Sequence, residues 1–198
     1  MKPSKGGRSM GKLIVEQIVS ADGYAAEPDG GIGFFESDVT GINEADGDQL
    51  RMLESVRAIV LGRTTYRMFA DYWPDADPAV EPVAVPINTI PKYVVSNTLD
   101  DAPWGRHAPA QVLHGDGVDS VRALQSRIDG DLVVWGSLTL TEALMRAGEV
   151  DVLRLRIVPR LIGAGRSFAP HDLGQRELVL EHSKTYPRGF VVLQYRFT

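Results

Sequence analysis

The chain has 198 residues, 43% hydrophobic and 24% charged, which suits one globular domain with a substantial core and excludes disorder as its main state. A net charge of -5 gives no electrostatic basis for binding nucleic acid or an anionic membrane surface, and the absence of cysteine excludes disulfides, thiolate zinc sites, iron–sulfur clusters and cysteine nucleophiles. No apolar run is long enough to span a membrane, no signal-peptide core opens the sequence, and the four histidines show neither HExxH nor close pairing, so a cytoplasmic protein without a metal is expected.

In chain order, the polar "MKPSKGGRSM" reads as a flexible leader over residues 1–10, with one domain from 11 to 198. "KLIVEQIVS" has the β-branched content of a strand and leads into a long loop, residues 21–46, rich in glycine and acidic side chains; loops of that length in compact domains are functional or disordered. "DGDQLRMLESV" has helical spacing, with Leu50, Leu53 and Val56 on one face and Asp46 or Asp48 as its N-cap. Strand "RAIVLG" is followed by the helix "TTYRMFADYW", which Pro74 ends, and then by a proline-punctuated surface connection, residues 75–88.

Strand "KYVVSN", a loop, the short strand "QVLHG" and the helix "VDSVRALQSRIDG" come next, then strand "DLVVWGS" and helix "LTEALMRAG"; Gly130 and Gly148 close the two helices. "VDVLRLRIVP" alternates as a strand, "RLIGAGRSFAPHDLG" is loop, and two last strands surround the turn "YPRG". Strands alternating with helices through residues 12–148 predict a mainly parallel sheet with helices on both faces. The final pair has no helix between its strands and requires an antiparallel member.

Three strand ends share one grammar. "IVLG-RTTY", "YVVS-NTL" and "LVVWG-SLTLTEAL" each pass from an apolar strand into Gly or Ser and then into hydroxyl or amide side chains. In an open α/β sheet such carboxyl ends lie on one edge, where helix N-termini present free N–H groups and partial positive charge to an anion. Gly62 permits close backbone approach, Thr64 or Thr65 can cap the helix, and Arg63 supplies charge; Gly136, Ser137 and Thr139 repeat the arrangement. Each junction alone reads as ordinary capping, and Ser96-Asn97-Thr98 alone as a turn; together they favour a dinucleotide or another multi-phosphate ligand. No glycine cluster matches GxGxxG, so a Rossmann assignment fails on its own motif.

"SADGYAA", "LGRTTYRMF", "KYVVSNTL" and "VVWGSLTLTEALMRAGEVDVLRLRIVPRLIGAGRSF" together resemble the RibD C-terminal-domain branch of the dihydrofolate reductase-like superfamily, in order over nearly all of residues 12–198. The resemblance implies a dihydrofolate reductase-like three-layer α/β/α fold with a mixed, mostly parallel central sheet and antiparallel C-terminal strands. It implies an NADPH-dependent oxidoreductase, often a homodimer, acting on a small heterocyclic or conjugated substrate. By position, Gly62, Arg63, Thr64 and Thr65 would meet the cofactor's phosphates, and Ser96, Asn97 and Thr98 the adenosine end. Gly136, Ser137, Leu138 and Thr139 would lie against the diphosphate and nicotinamide ribose, and Val19 to Tyr24, with Val19 and Ala21, would border the nicotinamide. Arg63 beside a 2′-phosphate would favour NADPH over NADH.

The family's dihydrofolate-reducing members carry an acid at the start of the next helix, and Asp46 stands at the matching distance before Gly62. Its plainer reading is an N-cap, and Asp48 or water competes as proton donor. Alternatives are the riboflavin-pathway 5-amino-6-(5-phosphoribosylamino)uracil reductase, a nucleotide-binding module without turnover, and a mainly structural dimer. Arg160 and Arg166 are the candidates for a ribosyl phosphate. Tyr24, Phe34, Phe35, Trp73 and Trp104 either cover the core or an interface, or form a stacking wall for a flat ring.

Overall fold

The computed structural model describes residues 11–35 and 45–198; the expected leader and part of the long acidic loop, residues 36–44, lie outside them. One eight-stranded sheet organises the chain. Its strands are β1 (Leu13–Ser20), β3 (Val56–Gly62), β4 (Lys92–Val95), β5 (Gln111–Leu113), β6 (Asp131–Trp135), β7 (Val152–Val158), β9 (Leu178–Thr185) and β10 (Val191–Phe197). The spatial order is β5-β4-β3-β6-β1-β7-β10-β9. All pairings from β5 to β7 are parallel, and β10 runs antiparallel to both β7 and β9.

Central strands of a parallel sheet are buried on both faces and so read as continuous apolar runs rather than alternations. "LIV" of β1, "AIVL" of β3 and "LVV" of β6 follow that rule, and all these residues are buried. Helices cover both faces. On one, Val121 and Leu124 of α4 (Gly117–Arg127) and Leu140 and Leu144 of α5 (Leu138–Arg146) pack on Val15, Val60 and Val134. On the other, Leu53 of α1 (Asp46–Leu53), Tyr66 of α2 (Arg63–Tyr72) and Ile87 of α3 (Ala84–Thr89) pack on Ile14, Ile59 and Val133. This is the expected three-layer α/β/α fold with a mixed sheet and antiparallel C-terminal strands.

Several local expectations differ. The first helix stops at Leu53 because Val56 already belongs to β3, and neither Asp46 nor Asp48 caps it; Ala45 occupies that position without a side-chain bond. The proline-rich connection contains α3, whose carbonyl end is held by Lys92: its ammonium donates to the carbonyls of Ile87, Asn88 and Ile90 at 2.8–3.0 Å. Within the long loop, β2 (Tyr24–Ala26) pairs with β8 (Arg166–Ser167) as a small antiparallel ribbon. Trp104 and Phe34 are fully buried, which removes both from any exposed stacking wall; the Trp104 indole N–H donates to Asn88 Oδ1 at 2.7 Å.

Candidate functional site

The parallel register carries the ends of β3 and β6 to one edge of the sheet, where the helices that follow them begin. Gly62 and Ser137 occupy the N-cap positions of α2 and α5, and neither helix has a side-chain cap; α4, by contrast, is capped by the Asp116 carboxylate, which accepts from Val118 and Asp119 N–H. The threonines therefore do not cap α2, as the sequence allowed. Ser137 and Thr65 brace the two junctions instead: Gly62 N–H donates to Ser137 Oγ at 2.7 Å, and Ser137 N–H donates to Thr65 Oγ1 at 2.9 Å.

Gly136 and Ser137 both take left-handed backbone, at φ 52° and 50°. A Cβ on Gly136 would stand 3.1 Å from Thr65 Oγ1, and one on Gly62 would stand 3.4 Å from Ser137, so the two turns are packed together without room for larger residues. Gln17 on β1 fixes the carbonyl side, its amide donating to Gly136 O at 2.6 Å. At the third junction the Arg63 guanidinium donates to Thr98 Oγ1 at 2.8 Å, and Thr98 N–H donates to Ser96 Oγ. Asn97 clamps Gly115, accepting from its N–H at 2.6 Å. The three junctions thus form one connected edge carrying two open helix N-termini and an arginine, with no acidic residue in the first turn of either helix. That fits a diphosphate, because free N–H groups and helix dipoles favour anions where no carboxylate competes.

A second set of polar groups lies on the α1 face. Glu16, Asp48 and Arg154 are buried, and Arg154 bridges the two acids, Nε to Glu16 at 2.8 Å and Nη2 to Asp48 at 2.9 Å. Glu16 also accepts from the Gln49 amide and the Trp135 indole N–H. Burial pushes the Asp48 carboxyl up, but the bonds from Arg154 and Arg51 outweigh it and hold the group down at about 2. Asp46 has the opposite balance: burial pushes its carboxyl above the ordinary value, Arg156 pulls it down and Glu81 adds to the rise. Arg156, buried on β7 with its guanidinium over the Phe190 ring, is pushed down from its ordinary value by burial and supported by Glu16 and Asp46.

The family model for the RibD C-terminal domain matches residues 11–192. The chain belongs to the RibD C-terminal domain family. Three solved structures share the fold of this RibD-type chain. A Shewanella sp. PV-4 protein ascribed to riboflavin biosynthesis superposes with a TM-score of 0.75 at 22% identity, covering 94% of this chain and 99% of that one. Dihydrofolate reductase from Enterococcus faecalis, complexed with NADP(H), gives 0.63 at 15% identity over 96% and 98%. The Thermotoga maritima diaminohydroxyphosphoribosylaminopyrimidine deaminase/5-amino-6-(5-phosphoribosylamino)uracil reductase gives 0.64 at 14% identity, over 96% of this chain and 57% of that longer one.

In this RibD-type domain, then, Gly62, Arg63, Thr65, Gly136 and Ser137 come together at one edge, with Ser96, Asn97 and Thr98 beside them. Leu138 opens α5 and Thr139 lies in its first turn. Val19 points into the core under α4 and α5, so only its backbone faces the edge, and Ala21 N–H is engaged by Arg160 O at 2.7 Å. Asp22 accepts from the Ser20 hydroxyl and the N–H groups of Ile162 and Gly163, which makes it a turn residue tying β1 to the loop after β7. Arg166 is ion-paired with Glu142 at 3.2 Å. The sequence reading missed Gln17, Glu16, Arg154 and Arg156. The available signal was "VLRLRIV", where two arginines share one face of a strand, as does Glu16 within the apolar run "LIVEQIV". Among the described residues no cluster could hold a metal ion, and no helix is long and apolar enough to cross a membrane.

Proposed function

We propose that the protein is an NADPH-dependent reductase that delivers hydride to a small conjugated heterocycle. The observation that carries this reading is the pair of uncapped helix N-termini, braced against each other by Ser137 and Thr65 and flanked by Arg63. Bound there, the nicotinamide would supply a hydride to one end of a C=N or C=C bond and leave oxidised, while a proton completes the other end. The N–H groups opening α2 and α5 hold the diphosphate, Arg63 with Thr98 takes the 2′-phosphate, and Asn97 shapes the adenosine end.

Asp46 is the proton donor in this reading. Asp48, locked between Arg154 and Arg51 and held at about 2, remains ionised near neutrality and has no proton to give. A more specific reading, reduction of 5-amino-6-(5-phosphoribosylamino)uracil in the riboflavin pathway, is favoured by the family itself. The deciding comparison is turnover of that ribosyl phosphate against dihydrofolate under the same conditions.

The primary test is titration of the purified protein with NADPH and NADH, following quenching of its three tryptophans. Tight NADPH binding with weak NADH binding is expected. In Arg63→Ala, NADPH binding should weaken by about 10- to 100-fold, with NADH nearly unchanged. No binding of either nucleotide would sink the reductase reading.

A further inference from the structure

Left-handed backbone at Ser137 has no intrinsic support, because a residue with a Cβ is strained there and stays only where its surroundings over-determine it. Rotating the Gly136–Ser137 peptide by half a turn would take Ser137 out of that region, and Gly136, with no Cβ, allows the rotation. In a trans peptide the C=O and N–H point in opposite directions. As the turn stands, Ser137 N–H faces Thr65 Oγ1 on α2, while the Gly136 carbonyl faces β1 and the body of α5. The rotated peptide would set that carbonyl's negative end between the two helix N-termini, where an anion needs N–H groups alone.

Gln17 and Thr141 hold the observed orientation. Gly136 O accepts from Gln17 Nε2 at 2.6 Å and from Thr141 Oγ1 at 3.0 Å, and the Gln17 amide also reaches Thr141 Oγ1 at 3.2 Å. Both side chains are shut off from solvent, at 2% and 0% exposure. Val15 and Val19, which flank Gln17 on its face of β1, belong to the apolar core, so packing alone would put another aliphatic residue between them. A buried amide there is costly unless its N–H groups are used, and the carbonyl it serves belongs to the last residue before the N-cap of α5. The two faces of β1 thus grip the end of β6 together: Glu16 accepts from the Trp135 indole on one, and Gln17 donates to Gly136 on the other.

We propose that Gln17 is a positioning residue for the dinucleotide: with Thr141 it locks the Gly136–Ser137 peptide so that the carbonyl stays out of the diphosphate site. That the ligand is a dinucleotide rests on the reductase reading. The lock acts on the diphosphate that NADPH and NADH share, whereas Arg63 acts on the 2′-phosphate that only NADPH carries.

Gln17→Met, close in volume and unable to donate, tests this in two measurements on the full chain. Titrated by tryptophan quenching, the variant should lose about 10-fold in affinity for NADPH and NADH alike, leaving their ratio as in the wild type. Arg63→Ala moves that ratio instead. Amide hydrogen exchange without nucleotide reads the lock itself. Ser137 N–H should exchange about 10-fold faster or more in Gln17→Met, while Val118 N–H, at the capped start of α4, keeps its wild-type rate. A wild type that binds neither nucleotide overturns the reductase reading and the proposal with it. A wild type that binds, matched by Gln17→Met for both nucleotides, overturns the proposal alone, as does unchanged exchange at Ser137. If Gln17→Met fails to fold, Thr141→Val removes the other donor to Gly136 O and should weaken both nucleotides together by about 3- to 10-fold; no shift in that variant overturns the proposal.

Discussion

Asp46 and Asp48 are two residues apart on one helix and stand in opposite electrostatic states. Burial raises Asp46, so its protonated fraction falls as pH rises through that elevated value, and a rate that depends on it falls in the same direction. Asp46→Asn should lower kcat by about 10²- to 10⁴-fold and remove that limb of the pH profile; an unchanged profile would return the proton to water. For Asp48 the folded value of about 2 lies below the ordinary 3.8, so its contribution to stability is present above about pH 4 and is lost as pH falls toward 2. That contribution is about 2 kcal/mol, and urea melts of Asp48→Asn should show correspondingly less loss of stability between pH 4 and 2. Arg154→Leu removes the cation shared by two buried carboxylates and should cost about 3–5 kcal/mol in the same assay at pH 7. Little of this was legible beforehand. A sequence shows that "DGD" can begin a helix, but Arg154, which holds Asp48 low, is more than 100 positions away, and Arg156, which acts on Asp46, lies on the same distant strand.

Among the elements, the junctions were legible in kind and not in detail. Gly62-Arg63 and Gly136-Ser137 announced two strand-to-helix turns on one edge because glycine and hydroxyl residues after apolar runs have a local meaning. What could not be read was that the hydroxyls bond across from one turn to the other, since nothing local says that β3 and β6 are neighbours. Gly136→Ala tests that coupling: left-handed backbone and contact with Thr65 should together lower stability by about 1–3 kcal/mol and weaken NADPH binding along with it. Binding that survives would mean that the two turns are independent. Strand β7 was legible as a strand, but not which way its polar face turns. Its alternation is genuine, but the polar face turns inward, because Glu16 and Asp48 are there to receive it.

For the molecule as a whole, the α/β alternation and the helix-free final pair were enough to read the layered fold, since both are properties of element order and not of contacts. If the edge formed by α2 and α5 is the cofactor site, saturation should stabilise the whole domain by mass action. At 100 times Kd the gain is about 2.7 kcal/mol, a rise in Tm of roughly 5–10 °C with NADPH and little with NADH. Differential scanning calorimetry reads this directly, and a Tm indifferent to both nucleotides would count against the site. The strand order also sets a timetable. The first strand, β1, is hydrogen-bonded between β6 and β7, with Leu13 opposite Leu132 and Ile14 opposite Val152. The middle of the sheet therefore cannot close until β6 and β7 have been made, and the first strand must wait for partners far later in the chain. Pairing between strands this far apart in sequence makes folding slow, because the loop-closure entropy is spent before the contacts that offset it form.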